Sequence, residues 1–400
     1  MLRAAGLLKS RSAVFYRQAL RSAIPCGRRS AATGPRAAPR RARSVGSGTA
    51  RRALAGASDA AAMGERLDHA AMMAAARALV PPLTADSHKG KNGKVGVVGG
   101  CREYAGAPLF AALSAVRAGA DLAHVFCTPG AAPVIKGYSP ELIVLPFLPD
   151  ESAQQGAPAA ADAPLAAIRP WLGRLTALVV GPGLGDDPAV AAAAAAVVRE
   201  ARAAGLPLVV DGSGLNLVAQ SPELVRGYRR CILTPNLPEF GRLAAGVGLP
   251  LPGPIGAGWQ AHTRELAAAF GGPVVVSKGP VDVISDGRRV AVVEAEGSLR
   301  RAGGQGDVLA GSIAAFACWA FPRHPGSGGG GGDAAAAEEE AAALMAAAYG
   351  GCALLRAASL AAFGERGRSM LAGDIIPHLQ GAFEELYEGG GSGGGGGARM

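Results

Sequence analysis

Asp307 closes a run of small and polar residues, Gly297-Ser298-Leu299-Arg300-Arg301-Ala302-Gly303-Gly304-Gln305-Gly306, and the apolar stretch Val308–Phe316 follows at once. Gly303, Gly304 and Gly306 let the backbone approach a ligand closely. The N–H groups at the opening of the predicted helix converge on one spot, and free N–H groups at the positive end of a helix dipole bind anions. An acid at that same point either takes a proton from a substrate or caps the helix. The segment alone leaves both readings open; the glycines and the paired arginines weigh toward a base. Two further stretches carry charge at the ends of short apolar runs. Lys278-Gly279-Pro280-Val281-Asp282 follows Val274–Val276, and Lys278 offers phosphate a point charge. Thr234-Pro235-Asn236 follows Ile232–Leu233. Asn236 and Glu239 then either hold a magnesium–phosphate cluster partly through water, or form a Pro-Asn turn with a helix-capping acid.

These residues need elements that bring them to one edge. Predicted strands cover Lys94–Val98, Ala123–Cys127, Ala177–Val180, Leu208–Val210, Ile232–Leu233 and Val274–Val276, with a hairpin of Val283–Ser285 and Val290–Glu294 about Asp286-Gly287. Helices are expected over Pro108–Ala118 and Pro188–Ala204, and after Gly306. Strands alternating with helices imply parallel βαβ units: an α/β fold, doubly wound, with a mainly parallel sheet in a three-layer α/β/α arrangement. Ligands of such sheets sit at the carboxyl ends of the strands. Gly99-Gly100, Gly181–Gly185, Asp211, Asn236 and Lys278 all fall there. His124 lies within an apolar strand and reads as a core residue; no histidine is assigned to a metal. The six cysteines, Cys26, Cys101, Cys127, Cys231, Cys318 and Cys352, form no C-x-x-C pair, so reduced buried thiols are expected.

The formal net charge of +9 suggests nucleic acid, but its distribution argues otherwise. Residues 1–58 hold 13 Lys/Arg and no acid, leaving 27 basic against 31 acidic residues, a net of −4, in the remainder. No basic patch for nucleic acid is expected on that body, and no run of 18 strongly apolar residues predicts a membrane span. The Arg-rich, acid-free segment 1–58 has the composition of an organellar transit peptide, mitochondrial or chloroplast. Met63 offers a start for a leaderless cytosolic form. Residues 59–84 read as a helical lead-in with a helix over Asp68–Leu79, and 85–387 as the catalytic domain. A flexible Gly-rich insertion at 326–340 and a Gly-rich tail at 388–400 complete the organisation.

Gly303-Gly304-Gln305-Gly306-Asp307 before a helix resembles the anion-hole motif of the ribokinase-like superfamily. With Gly297-Ser298 and Arg300-Arg301 it is similar to the narrower form found in the ATP-dependent NAD(P)H-hydrate dehydratases. His88-Lys89-Gly90, Val97-Val98-Gly99-Gly100, Glu103-Tyr104, Gly106-Ala107-Pro108, Gly119-Ala120-Asp121, Tyr138-Ser139-Pro140-Glu141-Leu142, Gly181–Gly185 and Leu233–Asn236 recur in that family's order, over about residues 85–385. The resemblance implies an enzyme that consumes ATP, with Mg2+, to repair NADHX and NADPHX, the hydrated forms of reduced nicotinamide cofactors. It implies Asp307 as catalytic base. It implies ATP contacts at Lys278, Gly279, Pro280, Val281 and Asp282, and again from Gly297 through Ser298, Leu299, Arg300, Arg301, Ala302, Gly303, Gly304 and Gln305 to Gly306. It implies hydrate contacts at Gly185, Asn236, Leu237, Pro238, Glu239, Phe240, Gly241 and Arg242. An NAD(P)HX epimerase is the implied metabolic companion, and a homo-oligomer is compatible with the resemblance. Two positions depart from the pattern: Ser213 stands where the family more often has an acid, and Ala302 where eukaryotic forms usually have cysteine. A small-molecule kinase of the same superfamily and a nucleotide-binding protein without turnover are the competing readings.

Overall fold

The computed structural model describes residues 65–85, 87–149, 163–250, 258–321 and 334–389. The predicted transit peptide, the glycines of the predicted 326–340 insertion and the tail from residue 390 lie outside them. In chain order the elements begin β1 (Glu65–Arg66), α1 (His69–Leu79), β2 (Lys94–Val98), α2 (Gly106–Arg117), β3 (Leu122–Phe126), α3 (Ala132–Tyr138) and β4 (Ile143–Leu145). They continue α4 (Ala163–Leu172), β5 (Ala177–Val180), α5 (Pro188–Ala203), β6 (Leu208–Val210), α6 (Ser213–Gln220), β7 (Cys231–Leu233), α7 (Leu237–Gly246) and α8 (Trp259–Phe270). Last come β8 (Val274–Ser277), β9 (Asp282–Ser285), β10 (Arg289–Val293), α9 (Gln305–Ala320), α10 (Ala334–Arg366), α11 (Ala372–Ile375) and α12 (Leu379–Phe383).

The strands form one ten-stranded sheet in the order β1-β10-β9-β8-β7-β6-β5-β2-β3-β4. Pairing is parallel from β4 through β8, and β9 runs antiparallel to both β8 and β10. Successive side chains of a strand point to opposite faces, and here both faces are apolar. Ala177 and Val179 of β5 join one core, with α1, α2, α9 and α10. Leu178 and Val180 join the other, with α4, α5, α6, α7 and α8. Near-continuous Val/Leu/Ile strands are what a sheet covered on both sides requires, so the expected three-layer α/β/α fold is observed. Side-chain caps fix several helix starts: Asp68 accepts from the N–H groups of Ala70 and Ala71, and Asp187 from that of Ala189.

Three boundaries differ from the sequence reading. The lead-in is part of the folded body, because β1 pairs in parallel with β10 and Met72, Met73 and Ala76 of α1 are buried in the main core. An isolated pattern of 11 residues cannot reveal which surface its apolar side will cover. The predicted insertion at 326–340 overlaps a helix, since 334–340 form the opening of the 33-residue α10. Arg230 pairs with Glu340, and Arg288 lies 3.6 Å from Glu338, tying that opening to the sheet. Glu388 continues the last helical turn and does not begin the tail. The stretch Ala335–Ser369 is also long and apolar enough to cross a membrane, although no such run was predicted; 72 % of its most apolar window is buried inside the fold. Alanine-rich composition, with Glu338 to Glu340 at one end, hides this from a search for strongly apolar runs.

Candidate active site

The strand order reverses direction between β5 and β2, and the loops leaving these two strands meet there. A Cβ on Gly99 would collide with the carbonyl of Pro182, and one on Gly181 (φ +127) with the carbonyl of Asp211. Gly100 N–H donates to Gly183 O at 3.1 Å. Backbone therefore packs on backbone, a close approach that only glycine permits. This packing seats Asp211 at the end of β6.

Asp211, only 4 % exposed, lies 2.6 Å from the Lys278 ammonium through Oδ1, and Thr234 Oγ1 donates to the same oxygen at 2.7 Å. Glu239 Oε2 stands 3.6 Å from Lys278 Nζ. The three anchors come from the carboxyl ends of β6, β7 and β8, as the switch-point rule requires. The N-terminus of α9 completes the group: Gly306 passes so close that a Cβ there would lie 3.3 Å from Lys278 Nζ and 3.4 Å from Asp211 Oδ2. Asp307 is the next residue. Burial pushes its carboxyl up to about 7, the negative charge of Asp211 adds to the rise, Lys278 opposes it and Glu239 adds again. Burial works against the charge of Lys278, but Asp211 and then Glu239 outweigh it and raise its pKa above the ordinary lysine value. Gly304 takes the cap position at φ +95 and has no side chain to offer, and Asp307 stands in the first turn.

The two predicted ATP segments line one cavity of about 520 Å3. Lys278, Gly279, Pro280 and Asp282 form one wall; Gly297, Ser298, Arg301, Ala302, Gln305 and Gly306 form the other. Members of both segments depart from this. Val281 packs against the second core, Leu299 is 66 % exposed, and Arg300 is exposed away from the cavity lining. Asp282 lines the wall, but its carboxylate is taken up by Arg356 Nε at 2.7 Å. Gly303 lies open to solvent and Gly304 packs against Phe110 and Ala372.

The predicted hydrate segment divides in the same way. Asn236 and Glu239 form a reciprocal capping box at α7, with Glu239 N–H donating to Asn236 Oδ1 at 3.0 Å and Asn236 N–H to Glu239 Oε2 at 2.7 Å. The capping alternative is therefore realised for both, while Glu239 also faces Lys278. Phe240 is buried and stacks on Trp259 with centroids 4.8 Å apart, so its side chain belongs to the core. Its position within a single turn of α7 could not be told from sequence spacing alone. Leu237 and Pro238 are exposed, Gly241 is half-buried, and Arg242 donates to Asn216 Oδ1 at 2.7 Å. Gly185, at φ +73, abuts Cys101: a Cβ there would lie 2.9 Å from the sulfur. Asp211, Thr234, Arg356 and Ser359 were not assigned to the site from sequence. Asp211 had a usable signal, an acid ending a predicted strand; Arg356 and Ser359, inside a long helix, had none.

No group of three or more His, Cys, Asp or Glu side chains placed to hold a metal exists among the described residues. Of the donors near Lys278, Asp211 is paired with its ammonium, and the Glu239 carboxylate and Asn236 amide are already engaged in a helix cap. Such a set fits magnesium carried mainly by nucleotide phosphates and water, not a protein cage.

The fold is ribokinase-like. A ribokinase-like superfamily protein from Enterococcus faecalis superposes with a TM-score of 0.58 at 21 % identity, covering 81 % of this chain and 96 % of that one. An ADP/ATP-dependent NAD(P)H-hydrate dehydratase from Bacillus subtilis, co-crystallised with ATP and Mg2+, gives 0.55 at 22 % identity over 78 % and 97 %. The NAD(P)H-hydrate dehydratase family profile matches residues 95–380, and the chain belongs to that family. The ATP-dependent (S)-NAD(P)H-hydrate dehydratase of Bos taurus is 46 % identical over 313 residues, covering 78 % of this chain and 88 % of the relative. The dehydratase of the same name from Homo sapiens is 44 % identical over 314 residues, with 78 % and 83 % covered.

Proposed function

We propose that this chain is an enzyme that uses ATP to dehydrate the S epimer of NADHX and NADPHX, returning NADH or NADPH with ADP and phosphate. The carrying observation is Asp307 in the first turn of α9, beside Lys278 and next to Gly306, which lines a cavity walled by two glycine-containing loops. Family membership and the names of the relatives support the reaction.

The chemistry follows from the placement. A hydrate carries a hydroxyl on the carbon beside the ring nitrogen, and hydroxide is a poor leaving group. Asp307 accepts the hydroxyl proton as the oxygen attacks the γ-phosphorus and the bond to the ADP oxygen breaks. Lys278 and the α9 N–H groups offset charge on the transferring phosphoryl group, so catalysis is positioning and electrostatics. The ring-nitrogen lone pair then expels phosphate. Loss of a proton from the neighbouring ring carbon restores the double bond. Magnesium, when bound, would neutralise phosphate charge, and Asn236 and Glu239 would hold it partly through water. On this reading Gly185, the exposed part of Asn236–Arg242 and Asp307 bind the hydrate.

The fate of the phosphoryl group distinguishes this reading from a kinase. Incubating the protein with hydrate and γ-labelled ATP is expected to release the label as inorganic phosphate; label retained on an organic product would establish a kinase. An epimerase that interconverts the R and S hydrates is the companion reaction such an enzyme needs. Segment 1–58 is assigned to organellar import, with Met63 as the start of a cytosolic form. A fluorescent fusion of that segment that stays diffuse in the cytosol would overturn the assignment.

A further inference from the structure

Arg356 lies in the middle of α10, and its side chain is only 8 % exposed. Its guanidinium reaches across to both nucleotide loops. Nε donates to Asp282 Oδ2 at 2.7 Å, Nη1 to Pro280 O at 2.9 Å and Ala295 O at 3.1 Å, and Nη2 to Gly279 O at 3.1 Å. Gly279, Pro280 and Asp282 belong to the loop after Lys278; Ala295 leads into the loop that ends at Gly306. One turn further along the helix, Ser359 Oγ accepts the Ser298 N–H at 3.2 Å and donates to Arg356 O at 3.0 Å. Gly297 passes over this pair so closely that a Cβ would lie 3.5 Å from both Arg356 Cγ and Ser359 Oγ. Gln305 Nε2 then donates to Ser298 Oγ at 3.0 Å, carrying the connection to the first turn of α9.

We infer that Arg356 is a positioning residue that locks the two nucleotide loops to α10 and so sets the width of the ATP cavity. A buried guanidinium is the side chain that can do this, since its planar fork offers five donors in fixed directions. Arg356 stands on the cavity wall with four of them spent on the protein, so it acts chiefly through the loops it holds. Lysine would keep the charge and the Asp282 pairing but could not reach three carbonyls with fixed geometry. The buried Asp282 carboxylate needs this partner, and burial without one costs stability.

The inference rests on reading the cavity as the ATP site, and ATP binding measured by calorimetry without hydrate tests both. Wild-type protein is expected to bind ATP, and Arg356→Lys to bind it about tenfold or more weakly, because a shift of about 1 Å in a positioning loop is costly. In turnover, Arg356→Lys is expected to raise KM for ATP while kcat and KM for hydrate stay within about threefold of wild type. Ser359→Ala removes the acceptor for Ser298 N–H and the donor to Arg356 O, and leaves the charges in place. It is expected to weaken ATP binding about threefold, and it carries the test if Arg356→Lys does not fold. A wild type without ATP affinity would sink both readings. Folded variants that bind ATP as tightly as wild type would overturn this inference alone.

Discussion

Lys278 Nζ lies 2.6 Å from Asp211 Oδ1, and the second oxygen of Asp211 faces the glycine that precedes Asp307. One acid thus holds the Lys278 ammonium through one oxygen and lies beside the start of α9 through the other. The Lys278 side chain is 18 % exposed and Asp211 4 %, so solvent screens little of this.

Removing the cation should harm both binding and folding. Lys278→Met leaves Asp211 buried without a counter-charge, and breaking a buried pair this way costs about 3 kcal/mol. Denaturant melts are expected to show that loss, and calorimetry a weaker affinity for ATP. A variant as stable as wild type would mean that Asp211 is paired elsewhere.

The pH dependence follows from the raised carboxyl. A base must be ionised to accept a proton, so kcat/KM is expected to rise with pH and level off above about 7, the value to which burial, then Asp211, push Asp307. Asp211→Asn removes one of the charges that raise it, so the rising limb should move to lower pH. An unmoved limb would assign the titration to another group.

Asp307→Asn is expected to lose activity by about a thousandfold while keeping ATP affinity. It is also expected to be more stable near neutral pH. An acid whose pKa is raised on folding, here from 3.8 to about 7, favours the unfolded chain as pH climbs between those values. The variant lacks that penalty, so its advantage should grow from pH 4 to 7 and hold constant above. Even after solvent screening of a partly exposed group it should reach about 1 kcal/mol. Thermal melts across that range check the sign.

Gly181→Ala tests how the switch point positions Asp211. The added Cβ meets the Asp211 carbonyl, and the backbone at φ +127 suits only glycine. Soluble protein with about 3 kcal/mol less stability and little activity is expected. Wild-type behaviour would show that the two loops move independently.

Much of the architecture was legible in the sequence. Asp211, Asn236 and Lys278 were placed at strand ends because each follows a short apolar run, and the topology brings those ends together. The glycine run before Asp307 announced its helix. Side-chain direction within a segment was not legible: Phe240 and Glu239 are neighbours, yet one packs against Trp259 and the other faces Lys278. Arg356 was invisible because its partners lie 61 to 77 positions away and three of the four are backbone carbonyls, which every sequence supplies.

The same blindness applied to residues 65–84, and it has a consequence. Met72 and Met73 are 5 % and 6 % exposed, and burying such side chains contributes about 2 kcal/mol each. Protein beginning at residue 87 is therefore expected to be markedly less stable than protein beginning at Met63, measured by denaturant melts. Equal stability would return the lead-in to the role of a linker.

The most direct test of the whole account is the return of reduced-nicotinamide absorbance when protein beginning at Met63 meets NADHX, Mg2+ and ATP. Recovery is expected to require ATP, to release one phosphate per NADH formed, and to disappear in Asp307→Asn. Folded protein that binds ATP and leaves NADHX unchanged would contradict it.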